Sequence, residues 1–236
     1  HTRLRTVTGV QTCALPISDD GEGCSSDDVA VDLTCDGANQ DSDPGAFVEL
    51  VIDLASCETA DKPNLYLYPD DPTPMSVGIH LDPRQRVVAA DPPMPWRGTA
   101  MPDGRFRTAK GLADFLFYEV SLRPAQSRAL QRREGWCAAD VEDMAAILDD
   151  YGFWDREVSD FVDAWASDLP AASVYSVYPQ RSVDQFAWVD VDLPLERLWL
   201  VVEPGCNVAR QPVVEELDRR GEHAVEWGVV LGGFAR

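Results

Sequence analysis

Between residues 75 and 81 apolar and polar positions alternate: Met75, Val77, Ile79 and Leu81 fall on one side, Ser76, Gly78 and His80 on the other. A period of two belongs to a strand with one buried face, so 75–81 is predicted as a strand with His80 turned to solvent. Similar short apolar runs, separated by Pro-rich or Asp-Gly turns, predict strands at 65–68, 86–90, 98–101, 105–108 and 113–122. The last of these, in LADFLFYEVSL, is apolar on both sides and therefore reads as interior to a sheet. The period then changes. Val141, Met144, Ala145 and Leu148, and afterwards Val158, Phe161, Val162, Trp165 and Leu169, recur at helical spacing. Gly152 stops the first helix, Asp155 is the predicted N-cap of the second, and the two form a helical hairpin lying on the sheet. Strands resume at 173–178, 186–193 and 198–202, a short helix capped by Gly221 is predicted over 211–220, and a last strand over 224–231. The fold class is α+β: a mostly antiparallel β-sheet or sandwich with a helical-hairpin insertion.

The N-terminal part has a different texture. Residues 7–17 read VTGVQTCALPI, which matches the in-frame translation of a sequencing-library adapter at all eleven positions. The rival reading, a signal peptide with Arg3 and Arg5 as its basic end, lacks the continuous apolar core such a peptide needs. Residues 1–18 are therefore set aside as an artefact. Residues 19–61 form an acidic, cysteine-bearing leader or small subdomain with two candidate strands, 29–33 and 47–54, and residues 62–236 form the main domain. In the leader, Asn39, Asp41 and Asp43 imitate the alternating oxygen ligands of a calcium loop. Pro44 stands where the turn glycine belongs and Leu50 where the bidentate Glu belongs, so an Asx-rich turn is expected and no metal is assigned.

Composition narrows the partners. The 236 residues hold 41 Asp and Glu against 20 Lys and Arg, a formal charge of −21. Such a surface repels phosphate backbones and anionic headgroups, and no apolar run reaches the roughly 18 residues of a membrane span. Neither nucleic acid nor membrane insertion is expected. Beyond the adapter there are five cysteines, Cys24, Cys35, Cys57, Cys137 and Cys206, with no CxxC pair and only His80 and His223 to complement them, which excludes a structural zinc site. Three of the five lie in the acidic leader, as in proteins of an oxidising, extracytoplasmic compartment, and Cys35 and Cys57, flanking the candidate hairpin, are the expected bridge. Buried free thiols are the alternative.

Catalytic signatures are missing: no GxSxG, HExxH, Walker loop or GxGxxG occurs, and no cofactor is expected. Carboxylate chemistry needs only two suitably placed acids. Glu119, in the interior strand 113–122, and Glu226, in the strand 224–231, are the candidates. The alternative for each is pairing with an arginine, and Glu119 is expected to be at least half-buried against one. Of seven tryptophans, Trp96 and Trp227 are the candidates for stacking on a sugar ring, with a core position as the alternative; Trp165 reads as core.

Several of these residues fall in short motifs. KPNLYLYP at 62–69, Trp96 followed by AMPDG at 100–104, FLFYE at 115–119, Tyr151-Gly152-Phe153 with Glu157, Phe161 and Trp165, and Arg220-Gly221 followed by VEWG at 225–228 stand in a fixed order. Together they resemble an uncharacterised family of bacterial secreted or surface proteins that opens on KPVIYLYP and closes on a VEWGG-like strand. The resemblance covers roughly 62–232. Glu222 and His223 replace an apolar approach to the last strand, and Val229 replaces a glycine. It implies boundaries and an extracytoplasmic location, not a reaction. Two functions follow: a non-catalytic extracytoplasmic module that binds a glycan or a surface protein, or a hydrolase of cell-wall or polysaccharide glycosidic bonds using Glu119 and Glu226. Carboxyls about 5–10 Å apart in an open cleft would mark the second.

Overall fold

The computed structural model describes residues 59–234, which belong to the second of the two units into which the chain divides, 58–236. The expectations for residues 1–18, for the strands at 29–33 and 47–54, for Asn39, Asp41 and Asp43 and for the Cys35–Cys57 bridge lie outside the described residues.

In chain order the described elements are strands β1 (Thr59–Tyr68), β2 (Thr73–His80), β3 (Val87–Asp91), β4 (Trp96–Ala100), β5 (Phe106–Thr108), β6 (Gly111–Ala113) and β7 (Leu116–Ser121), helix α1 (Pro124–Ala129), strand β8 (Trp136–Ala138), helices α2 (Val141–Asp150) and α3 (Asp155–Trp165), and strands β9 (Tyr175–Gln180), β10 (Trp188–Asp190), β11 (Leu195–Pro204) and β12 (His223–Leu231). They build two sheets, one ordered β3-β7-β1-β12-β11-β9-β8 and one ordered β10-β2-β4-β5-β6. All named pairs are antiparallel except β11 with β12. This is the expected α+β architecture, with the helical pair on one sheet.

The large sheet is covered on both faces, which explains its doubly apolar strands. Leu65, Leu67, Leu116, Tyr118, Trp199 and Val201 pack toward Val77, Trp96 and Phe106 of the small sheet. Tyr66, Tyr68, Leu200, Val225 and Trp227 pack toward Met144, Leu148, Phe161 and Trp165 of α2 and α3. In the small sheet Val77 is buried and Met75 and Ile79 pack against the core, while His80 is exposed, as the alternation requires.

Local signals set most boundaries. Asp140 caps α2 by accepting the Asp143 N–H at 3.0 Å. Gly152 ends that helix at φ +87°, where a side chain would be strained. The N-cap of α3 is Trp154 rather than Asp155, which is the first helical residue; Glu157 reaches back to accept the Trp154 N–H at 2.8 Å. β1 lies inside the sheet and yet contains Pro63, which cannot donate to the ladder. It is accommodated by a bulge: the register with both neighbours shifts between Asp61 and Asn64, or Ala60 and Asn64, and Lys62 takes φ +51°.

The helix expected over 211–220 does not form. β11 and β12 are parallel, so residues 205–222 must carry the chain back along a strand of about 30 Å at 3.3 Å per residue. Val214 and Leu217 pack against the helical-side core from a segment without regular secondary structure, and Val213 is 85% exposed. The return is also anchored by bonds to other loops: Ala209 N–H to Arg133 O at 3.0 Å and Leu217 N–H to Tyr151 O at 2.9 Å.

A disulfide joins Cys137 of β8 to Cys206, just beyond β11, with Cα atoms 5.3 Å apart and a sequence separation of 69. Closing a loop of that length stabilises the fold by about 4 kcal/mol in the chain-entropy account. A Cys137→Ser/Cys206→Ser variant is therefore expected to unfold at clearly lower urea than the parent, measured by tryptophan fluorescence. An unchanged midpoint would show that β8 and the return segment are held without the bridge.

Candidate functional site

The two carboxylates singled out in the sequence part company in the structure. Glu226 is fully buried on β12, level with Leu65 and Leu116, and faces the small sheet. Its Oε1 accepts from Arg197 Nε (3.0 Å), Arg197 Nη2 (2.7 Å) and Trp199 Nε1 (2.7 Å), and its Oε2 accepts from the Tyr118 hydroxyl at 2.8 Å. Arg197 donates further to the Tyr118 oxygen (2.9 Å), to Asp184 Oδ1 (2.8 Å) and to Ala187 O (2.5 Å). All five guanidinium N–H groups thus have acceptors. Burial, and then the Glu226 charge, push the Tyr118 phenol well above its ordinary range, so it stays a donor.

Glu119 neighbours Tyr118 on β7 and so points to the opposite face of the sheet, toward the helical layer. It is partly buried, and its partner is Lys62, not the expected arginine. Its carboxylate accepts the Lys62 backbone N–H at the β1 bulge, and burial raises its pKa while Lys62 lowers it. Lys62 in turn bonds Asp168 and the Ala164 carbonyl (2.7 Å) at the end of α3. Two carboxyls on opposite faces of one sheet share no cleft, so Glu119 and Glu226 do not form a glycosidase pair.

A second buried carboxylate was missed as a charged centre. Glu157 of α3 is fully buried; it accepts from the Tyr68 hydroxyl (2.6 Å) and from Arg219 Nη1 (2.6 Å) and Nη2 (2.7 Å). Arg219 also reaches the Gly152 carbonyl and His223 Nε2 and lies 3.7 Å from the centroid of the Trp154 ring. This network fastens the return segment to α3 and β1.

Trp96 and Trp227 are core residues. Trp96 donates to Pro92 O at 2.6 Å, and Trp227 donates to Glu157 O at 3.1 Å and meets Phe161 edge-on. Neither can touch a ligand. Among the described residues two tryptophans are exposed: Trp154, 47% exposed and stacked on Arg219, and Trp188, 56% exposed on β10 at the edge of the small sheet. Trp188 pairs with His80 of β2, and Asp190 pairs with Gly78, so Trp188, Asp190, His80 and the bare backbone of Gly78 share the outer face; His80 Nε2 lies 3.4 Å from Asp190 Oδ2. Beside them Asp184, Trp188, Val191 and Leu195 line an open depression of about 180 Å³, below the roughly 300–1,000 Å³ of enclosed small-molecule pockets. Asp184 is exposed there with one oxygen held by Arg197. The signal for this site lay in the run FAWVDVDL: Trp188 has the same parity as Asp190 and Asp192, the polar side of that strand.

No helix among the described residues is long and apolar enough to cross a membrane, and none of their His, Cys, Asp and Glu side chains group in threes as a metal site would need. Comparison with protein-family models, curated proteins and solved structures finds no match for the chain.

The geometry separates the two candidate acids by experiment. Glu226→Gln removes the only buried counterion of Arg197 among the described residues, leaving the exposed Asp184, and is expected to destabilise by about 3 kcal/mol in urea titrations. Glu119→Gln keeps an acceptor for the Lys62 N–H and should cost far less. Because the folded pKa of Glu119 is raised, its contribution is fully present below the ordinary carboxylate range and is lost as pH rises through the raised value. Stability of Glu119→Gln should accordingly decline less than that of the parent over that window. Equal losses for the two variants would contradict the assignment.

Proposed function

We propose that the protein is an extracytoplasmic carbohydrate-binding module that presents the outer face of its small sheet to a glycan. One observation carries the reading: Trp188 holds a large aromatic ring open to solvent on the edge strand of the small sheet, next to Asp184 and Asp190. A sugar ring has an apolar face that stacks on an aromatic and hydroxyls that bond to carboxylates, and both requirements are met within one patch. The shallowness of the depression suits a ligand held on one side, as a polysaccharide chain is, rather than one enclosed for chemistry. The Cys137–Cys206 bridge and the cysteines of the leader favour an oxidising compartment. The hydrolase reading has lost its acid–base pair, since Glu226 is consumed by Arg197 and Glu119 faces the other way.

The test is affinity electrophoresis of the whole chain through gels containing single soluble polysaccharides, with Trp188→Ala beside the parent. Retardation of the parent and at least a tenfold weaker retention of the variant, about 1.4 kcal/mol, are expected with unchanged thermal stability. Equal migration of both proteins in every polysaccharide tested would refute the reading. Trp154→Ala, which alters an exposed tryptophan stacked on Arg219, is expected to lower stability and leave retention unchanged.

A further inference from the structure

The outer face of the small sheet continues beyond Trp188. On β4 the outward residues are Arg97 and Thr99, since Ser76 of β2 pairs with Arg97 while Trp96 and Ala100 are buried on the other side. On β5 the outward residue is Arg107, which pairs with Thr99 on one side and with exposed Leu112 of β6 on the other. Arg97 and Arg107 are diagonal neighbours, about 7–8 Å apart at Cα. Both are exposed, and neither side chain has a hydrogen-bond or ion-pair partner among the described residues.

Most of the other arginines in the described region hold an acceptor, among them Arg105 on Asp103, Arg123 on Asp82, Arg156 on Asp114, Arg181 on Glu196, Arg210 on Glu134 and Arg220 on Asp218. Arg84, Arg86, Arg128 and Arg133 are exposed as well; what sets Arg97 and Arg107 apart is that they are neighbours on one sheet face. With 41 acidic residues against 20 basic ones, carboxylates are plentiful. Two adjacent guanidinium groups nevertheless stand open on one sheet face. An Arg fork is matched to a planar carboxylate, and side by side the two make a local positive patch. The acidic remainder of the surface acts over about 8 Å at physiological ionic strength, so it does not cancel the patch at contact distance.

We infer that the glycan bound by this face is an acidic polysaccharide, one carrying uronate carboxylates, with Trp188 stacking on one sugar ring and Arg97 and Arg107 receiving a carboxylate further along the same chain. The inference rests on the carbohydrate-binding reading and adds the ligand class. The geometry agrees with a polymer. Trp188 lies level with His80 and two strands away from Arg97, which lies level with Ser76, giving a separation of about 16 Å from strand spacing and rise. A single sugar cannot span that distance, whereas an oligosaccharide crossing the strands diagonally can. Gly78 lies on the direct diagonal between the two ends and presents only backbone there, with Ser76 beside it on β2 and His80 and Asp190 flanking the Trp188 end.

The matched probe is polygalacturonate and its fully methyl-esterified form, which share a backbone and differ in charge. Titration of the whole chain by calorimetry is expected to give at least tenfold tighter binding to the acid, with affinity falling as salt is raised. Arg97→Gln/Arg107→Gln should remove that preference without moving the thermal midpoint, and Arg97→Lys/Arg107→Lys, which keeps the charge but not the fork, should keep part of it. Dextran sulfate against dextran distinguishes a sulfated from a carboxylated ligand: preference for dextran sulfate with none for polygalacturonate would overturn the uronate assignment. Equal affinity for the acid and ester forms would overturn the inference while leaving carbohydrate binding through Trp188 standing. Failure of either polymer, and of every neutral polysaccharide, to bind would remove both.

Discussion

A carboxylate inside a sheet that is covered on both faces has to be neutralised where it stands, and this constraint organises the described domain. The large sheet has the small sheet on one side and two helices on the other, so water cannot serve Glu226. Arg197 does so from the neighbouring strand, with Trp199 and Tyr118 completing the shell. On the opposite face Glu157 of α3 is served by Arg219 and Tyr68 in the same manner. Desolvating such a pair costs several kcal/mol, and the pair holds only when each charge finds its full set of partners. Here one network ties β7, β11 and β12 together, and the other ties α3 to β1 and to the return segment between the parallel strands. Each specifies which elements meet, which apolar packing alone does not.

This gives physical content to the short motifs. KPNLYLYP supplies the bulge that admits Pro63 into an interior strand and the phenol of Tyr68 that bonds Glu157. FLFYE supplies Tyr118 for one network and Glu119 for the bulge N–H. VEWG supplies Glu226, Trp227 and a glycine whose Cβ would lie 2.9 Å from the Trp199 ring, so the strand there accepts no side chain. The motif residues thus converge on packing and charge neutralisation rather than on a reacting centre.

The fold was largely legible because period-two and period-3.6 patterns report directly on which face is buried, and most strands and both long helices stand where those patterns put them. Short elements escaped: β6, β8 and α1 carry too few residues to show a period. The segment 211–220 misled for a different reason, since its spacing of Val214 and Leu217 resembles a helix while parallel pairing of β11 and β12 makes it a long return. The site was less legible. Isolated Glu residues in apolar strands draw attention as candidate acids, but whether an arginine awaits them depends on contacts far apart in sequence, 29 residues for Arg197 with Glu226 and 62 for Arg219 with Glu157. Trp188 could have been chosen over Trp96 and Trp227 from parity alone, because it shares its strand face with two aspartates.

The dependence of the core on its internal ion pair is measured most directly by a double-mutant cycle on Arg197→Met and Glu226→Leu, with each free energy taken from urea denaturation. If the two side chains act as one unit, each single change leaves a buried charge without its buried partner while the double change leaves no buried charge, and the double variant should be more stable than the summed losses imply by about 2 kcal/mol or more. Additivity of the two losses within about 0.5 kcal/mol would mean that Arg197 and Glu226 are neutralised independently, and would contradict the organisation of the sheet described above.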